Sequence, residues 1–456
     1  MGRMPQRNLA WLITVPMLVF AAAVIAAVAP APDREYQLVR SVVDVLAEVD
    51  KNYYRELNPE EKKKLVEDMI NGGLYRLDKH AQYFNEEELK QFENDTDGKF
   101  GGIGAFLSLD PETQRLQVES PMIGTPASEA GLQPGDLILK IDDASTEGMK
   151  VDAGRGLIKG EPGTVVALTV KRAGTGNEEV IKLTRAFIKI YPVRGFVRRD
   201  DDPSKWDYLA DKENKIALVR LSAFNKDTHL EVKAAVQEAE KAGAKALILD
   251  LRGNGGGLLD QAVQISDLFL NDGTILSTKD RTGTGRVWKA KKGDTIFEPT
   301  SEKPIAILID GGSASASEIL AAALQENGRA VLVGERSYGK GSVQKVLGLS
   351  DGKAALKITT EIWMTPKGRA LNRDDKMTEK DDWGVKPDAG LEVTVKPEEH
   401  KQYILHLNRL DLVKGKAAKT KENGPKFDPN FKDTVLEKAM EYLRKKMAEP
   451  IPNKPT

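Results

Sequence analysis

Residues able to do chemistry are few in this chain, and they collect in two stretches. The first is Gly311 to Gly328, GGSASASEILAAALQENG, which follows the apolar run Pro304 to Asp310. A strand, a Gly-Gly turn and an Ala-rich helix are the natural reading. Ser313, Ser315 and Ser317 then sit where a helix begins, beside N–H groups that lack internal partners and attract negative charge. A serine oxygen there can serve as a nucleophile next to an anion site. Ser315 and Glu318 also spell S-x-x-E, a capping box, and taken alone the stretch reads as a cap. The second stretch is GERSYGK, Gly334 to Lys340. It is one residue short of a phosphate loop, Gly341 replaces the required Ser or Thr, and the residues after it read as strand, so a nucleotide site is rejected. Lys340, flanked by glycines between two apolar strands, is expected to be buried enough to lose its proton and act as a general base. Four histidines, none at ligand spacing, and no cysteine leave a Ser-Lys pair as the natural way to activate Ser315. No metal or nucleotide cofactor is expected.

The elements that must position these residues alternate strand and helix. Expected strands are 216–221, 246–251, 304–310 and 330–335, and expected helices are 229–241, 258–270 and the one after Ser315. This rhythm predicts a mostly parallel α/β core. Arg252 to Gly257, RGNGGG, opens a helix after a strand, but Leu258 breaks the dinucleotide register. What remains is a run of unhindered N–H groups suited to an oxyanion hole, or a tight turn needing positive φ.

Before the core, Lys99 to Gly174 reads as short strands with one or two helices, one of them near 152–159. FGGIGAF, residues 100–106, places a Gly-rich turn before a strand, where backbone N–H groups can meet a peptide carboxylate and the strand edge can accept a peptide. Two amphipathic helical patterns come earlier. One runs over 36–52, with Leu38, Val42, Val45, Leu46 and Val49 on one stripe; the other starts at Asn58-Pro59. This arm is expected to pack on something, either a second subunit or the core. A charged linker is expected at 200–203, and the region from 397 on reads as charged and helical, with an amphipathic segment over 435–447. Leu9 to Ala29 carries no charge and is long enough to span a bilayer. Arg3 and Arg7 precede it, which predicts an uncleaved anchor with the bulk of the chain outside the cytoplasm. Pro30 after the A-x-A at 27–29 argues against signal cleavage. Lys plus Arg is 68 against 69 for Asp plus Glu, so no net field draws nucleic acid.

PGDLILKIDD, within Ala130 to Asp143, resembles the matching stretch of PDZ domains. With GKFGGIGA, KGEPGT, LILDLRGNGGG, SASASE, YGKGSVQ and WGVKPD in order, the chain resembles carboxyl-terminal processing (tail-specific) serine proteases over about 35–390. The resemblance implies a crotonase-like βαβ protease core (188–396) with an inserted PDZ-like α+β domain (97–187). An anchor (1–30), an N-terminal helical region (33–96) and a C-terminal helical extension (397–456) complete the chain. It implies Ser315 as nucleophile, Lys340 as base, Gln344 as the residue orienting the lysine, and the N–H groups of Ala316 and of Gly255 or Gly256 as the oxyanion hole. It implies that unfolded proteins with apolar C-termini are bound around Gly102, Ile103, Gly104 and Ala105 and that the enzyme needs no cofactor, and the helical arm makes a homo-oligomer the expected assembly. Two departures stand out: Lys159 replaces the family's usual arginine before Gly160, and Lys79 interrupts Leu-Asp-Pro-His. A catalytically silent PDZ scaffold and a crotonase-like acyl-CoA enzyme are the rival readings. Both Ser315 and Lys340 being present argues against the first, the PDZ-like domain and anchor against the second.

Overall fold

The computed structural model describes residues 34–411 and 428–449, apart from isolated positions at 111, 123, 190, 203, 294, 299–302, 351 and 375. The expected anchor lies outside the described residues. The chain divides near residue 73 into a helical N-terminal unit and a larger remainder.

The N-terminal unit is built on helix α1 (Arg34–Asn52) and helix α2 (Pro59–Leu77). Asn58 starts α2 as expected, its Oδ1 accepting the Glu61 N–H at 2.9 Å while Glu61 returns a carboxylate oxygen to the Asn58 N–H at 3.0 Å. The apolar stripe of α1 is not buried: Leu38, Val42 and Val45 are all exposed. Stripe periodicity alone did not tell whether its cover comes from the same chain.

Two short elements that periodicity missed follow: strand β1 (Gln82–Phe84) and helix α3 (Glu86–Thr96). Then comes the strand-rich domain. Strand β2 (Lys99–Gly102) leads into an antiparallel sheet of β3 (Ala105–Leu109), β4 (Leu116–Pro121), β5 (Leu137–Ile141), β6 (Val165–Lys171) and β7 (Glu178–Thr184). Helix α4 (Val151–Ile158) lies across it, and strand β8 (Ala186–Lys189) returns to pair with β2. Leu116, Val118, Ile138, Ile141, Val166, Leu168 and Val170 form its core. β3 is an edge of this sheet.

The expected linker at 200–203 is instead the connection between two short antiparallel strands, Val197–Arg198 and Trp206–Asp207. Strands of two residues leave no periodic trace in sequence. The core sheet follows: parallel strands β9 (Ile216–Leu221), β10 (Ala246–Asp250), β12 (Ile305–Ile309) and β13 (Ala330–Gly334), adjacent in that order. Helix α5 (Thr228–Lys241) crosses from β9 to β10, helix α6 (Leu259–Asp267) follows β10, and helix α7 (Ala316–Glu326) joins β12 to β13. β10 and β12 are buried at every position because the sheet is covered on both faces. Leu247, Leu249, Ile305 and Ile307 pack under α5, α6 and α7. Their alternates Ala246, Ile248, Ala306 and Leu308 pack against helix α9 (Thr434–Ala448), through Val435, Leu436, Ala439 and Leu443. Of the two helices of the C-terminal extension, α8 (Pro397–Asp411) and α9, it is α9 that closes this face of the core. A second sheet carries β11 (Thr274–Asp280), β14 (Ser342–Gly348) and the long β15 (Ala355–Met364), which pairs with β14 over residues 355–362, with β1 over 355–357 and with β11 over 361–364.

Candidate active site

Parallel strands deliver their following loops to one crevice, at their carboxyl ends. β10 ends in Arg252 to Gly257 and β12 in Gly311 to Ser315. These two loops touch with no room to spare. A Cβ on Gly312 would lie 3.0 Å from the Gly253 Cα, and a Cβ on Gly256 would lie 2.6 Å from the Ala314 carbonyl oxygen and 2.8 Å from the Ser315 Cβ.

The spacing of the three serines resolves their roles. Ser313 and Ser317 are fully buried. Ser313 Oγ donates to the Leu251 carbonyl at 2.8 Å, and Ser317 Oγ to the Asn254 carbonyl at 2.8 Å, so both tie the two loops together. Ser315, between them, is only half buried. Its backbone sits at φ 56°, ψ −114°, a region that side chains avoid. A strained residue thus stands at the strand-to-helix turn that borders the crevice.

The Glu318 carboxylate, read from sequence only as half of a cap, holds the centre. It is fully buried and accepts four hydrogen bonds. Oε2 takes the N–H groups of Ser315 (2.8 Å) and Lys340 (2.9 Å), and Oε1 takes the Gly339 N–H (2.7 Å) and the Ser337 hydroxyl (2.6 Å). The backbones of Ser315 and Lys340 are therefore two hydrogen bonds apart through one oxygen. Burial pushes this carboxyl upward, against four donors that favour its ionised form.

The Lys340 loop is fixed on its other side as well. Trp363 Nε1 donates to the Lys340 carbonyl at 3.0 Å, Asn372 Oδ1 accepts the Gly341 N–H at 2.6 Å, and Gly339, at φ 86°, has Arg373 and Trp383 where a Cβ would stand. Burial holds the Lys340 amine below the ordinary lysine range, and the Lys357 ammonium pushes the same way. Asp78 and Glu318 pull against both. Among the described residues no carboxylate stands within ion-pair distance of its Nζ. Gln344 Nε2 donates to Ser342 Oγ (2.8 Å) and Thr359 Oγ1 (3.0 Å), which fixes the amide and leaves its Oε1 as the acceptor end. Asp78, in the Leu-Asp-Lys-His stretch, accepts the Thr359 N–H at 3.0 Å. That stretch therefore borders the lysine, a placement the sequence did not suggest.

The glycine run has an organiser that looked like a spacer. Asn254 is fully buried; its Nδ2 donates to the Leu221 carbonyl at 2.9 Å and its Oδ1 accepts the Gly256 N–H at 2.9 Å. Of the two glycine donors expected for an oxyanion, Gly256 is thus engaged, and the expectation narrows to Gly255, which is exposed. The Ala316 N–H opens α7 next to Gly256, where an added Cβ would lie 2.9 Å from it.

In the strand-rich domain, Ile103 is buried in the core, so this position offers a ligand its backbone rather than its side chain. Gly104, at φ 75°, has the Thr125 side chain 2.5 Å from where a Cβ would be. Its carbonyl accepts the Met122 N–H and the Thr125 hydroxyl, while the Ile103 carbonyl accepts the Ala127 N–H. Gly102 ends β2 and Ala105 begins the free edge strand β3. Lys159 places its ammonium 5.5 Å from the centre of the Phe100 ring, next to this turn.

A crevice at the carboxyl ends of a parallel sheet, joined to a small domain with an open strand edge, is the arrangement of a serine-type peptidase carrying a PDZ domain, and comparison with known proteins agrees. Residues 215–391 match peptidase family S41 and residues 117–172 match a PDZ domain. A carboxy-terminal-processing protease of Bartonella bacilliformis is 36% identical over 407 residues, 86% of either chain. The carboxy-terminal processing protease CtpA of Bacillus subtilis is 34% identical over 348 residues, 76% of this chain and 67% of that one. Among solved structures, a photosystem II D1 C-terminal processing protease is 27% identical, covers 77% of this chain and 86% of its own, and gives a TM-score of 0.42. The chain belongs to peptidase family S41, with the carboxy-terminal processing proteases.

Proposed function

We propose that this peptidase is an endopeptidase that cuts unfolded or partly folded proteins with a Ser315–Lys340 dyad. Neutral Lys340 takes the Ser315 proton as Oγ attacks the scissile carbonyl. The tetrahedral oxyanion is met by the N–H groups of Ala316 and Gly255. Collapse expels the amine, which takes the proton back from Lys340, and water then repeats the cycle on the acyl-enzyme. Gln344 steadies the amine through an uncharged acceptor, which does not raise its pKa as a carboxylate would. The observation that carries this reading is the single buried Glu318 carboxylate joined to both Ser315 and Lys340, beside a lysine whose charge is disfavoured. The parallel core sheet with its βαβ crossovers supports a crotonase-like core.

The PDZ domain selects substrates by an apolar C-terminal tail. The carboxylate meets the turn at Gly102, Ile103 and Gly104, and the tail adds a strand from Ala105 along β3. The exposed apolar stripe of α1 supports a homo-oligomer formed through the N-terminal unit. The uncharged run 9–29 after Arg3 and Arg7 supports a single-span anchor with the catalytic part extracytoplasmic, in the periplasm of a Gram-negative-type cell.

The test uses the full chain in detergent with an unfolded protein ending in an apolar tail. Cleavage is expected from the wild type and none from Ser315→Ala, with tail-peptide binding unchanged. Cleavage by Ser315→Ala at the wild-type rate overturns the dyad.

A further inference from the structure

Arg252 stands where β10 ends and the glycine loop begins, and its guanidinium is nearly sealed, with 6% of the side chain exposed. One edge is bonded to Asp250, Nε to Oδ1 at 2.9 Å and Nη2 to Oδ2 at 2.7 Å. The other edge is bonded to Asp433, Nη1 to Oδ1 at 2.9 Å and Nη2 to Oδ2 at 2.8 Å. Its face lies 4.1 Å from the centre of the Tyr403 ring, whose hydroxyl reaches Asp250 Oδ2 at 3.3 Å. Asp250 is a neighbour in sequence. Asp433 and Tyr403 are not: both belong to the C-terminal extension, outside residues 215–391 that match the peptidase family.

One carboxylate is enough to neutralise a buried arginine. A second is more than Arg252 itself requires, and buried ion pairs are a weak source of stability alone. What two forked pairs add is geometry, since together they fix the plane of the guanidinium. Asp433 is itself held locally, because it caps the first turn of α9 by accepting the Leu436 N–H at 3.0 Å, ten residues before Leu443. On the other side of Arg252, the Gly253 N–H is bonded to Asp310 at 2.9 Å, and Gly255 follows two residues later.

We propose that the C-terminal extension is part of the catalytic apparatus: Asp433, backed by Tyr403, is a positioning residue that holds Arg252 and, through it, the loop whose Gly255 N–H meets the oxyanion. This rests on the function proposed above.

The experiment compares full-chain Asp433→Asn, Asp433→Glu and Leu443→Ala with wild type. Leu443→Ala loosens α9 by packing alone and leaves the clamp in place. Four quantities are read: kcat and KM on a peptide, inhibition by a peptide aldehyde whose adduct on Ser315 carries an oxyanion, affinity for a tail peptide, and Tm. A misplaced oxyanion donor predicts that Asp433→Asn lowers kcat and weakens aldehyde inhibition by about tenfold or more, with KM and tail affinity within about twofold. Asp433→Glu is expected to recover part of both losses. Leu443→Ala is expected to lower Tm while keeping kcat and aldehyde inhibition near wild type well below its melting point. If Asp433→Asn lowers Tm but spares kcat and aldehyde inhibition, the clamp only anchors a helix and the proposal is wrong. It is equally wrong if Leu443→Ala loses kcat in step with Tm. Should Asp433→Asn fail to fold, Asp433→Glu against Leu443→Ala decides on the same readouts. A wild type that the aldehyde does not inhibit contradicts the dyad itself, not this clamp.

Discussion

The strained backbone at Ser315 gives a stability test that is independent of turnover. Ser315→Ala and Ser315→Gly both remove the nucleophile, so neither should cleave. They differ in the Cβ, which at φ 56°, ψ −114° is the source of the strain. A non-glycine residue held in such a region costs about 1–3 kcal/mol. Glycine removes that cost but loosens the unfolded chain, which takes back about 0.4–1 kcal/mol. The balance favours Ser315→Gly over Ser315→Ala by roughly 1.3 kcal/mol at the centre of a range of about 0–2.6, or a few degrees in the melting of a core this size. The assay is calorimetry on the full chain, reading the transition of the protease core separately from that of the PDZ domain. Ser315→Gly melting at or below Ser315→Ala would mean that the turn stores no strain, and the account of how the serine is presented would fail.

Other consequences follow from single contacts. Gly256→Ala should abolish cleavage and lower the melting temperature, because a Cβ there meets the Ala314 carbonyl at 2.6 Å and the Ala316 nitrogen at 2.9 Å, all of it backbone; normal activity in that variant would show the loops are not locked. Lys357→Met removes a positive charge that disfavours protonated Lys340, so the Lys340 pKa should rise and the limb on which kcat/KM climbs should move to higher pH; a pH–rate profile unmoved, or moved to lower pH, refutes the electrostatic link. Amidating the C-terminus of a good tail substrate should slow its degradation, because the turn at Gly102 to Gly104 loses the charge it would bind; equal rates for acid and amide contradict carboxylate recognition.

The parallel core was legible because its strands are mostly apolar runs, three of the four ending at or just before Asp or Gly, separated by helix-period segments. β1 was not, since three residues, Gln82 to Phe84, have no pattern of their own and take their place from β15, far along the chain. Helix α3 did leave a signal: Asn85 and Glu88 form a capping box, and that spacing is visible in the sequence. At the site, Ser315 and Lys340 stood out by type and by the glycines near them, and Lys340 is half-buried. Glu318 was read as a cap because three of its four donors come from the Ser337 to Lys340 loop, which no local pattern links to α7. Asn254 was hidden among glycines for the same reason: its partners lie on β9 and on its own turn. The arm stripe of α1 was correctly seen as apolar, but periodicity does not name the surface that covers it.

The most direct test of the dyad is turnover by Lys340→Arg across pH. Arginine keeps the charge and length of the side chain but stays protonated at any working pH, so it can fill the site and still not accept the serine proton. A variant that folds like the wild type, binds tail peptide, and cleaves nothing from neutral to alkaline pH is the result expected here. Near-normal turnover by folded Lys340→Arg would remove Lys340 as the base.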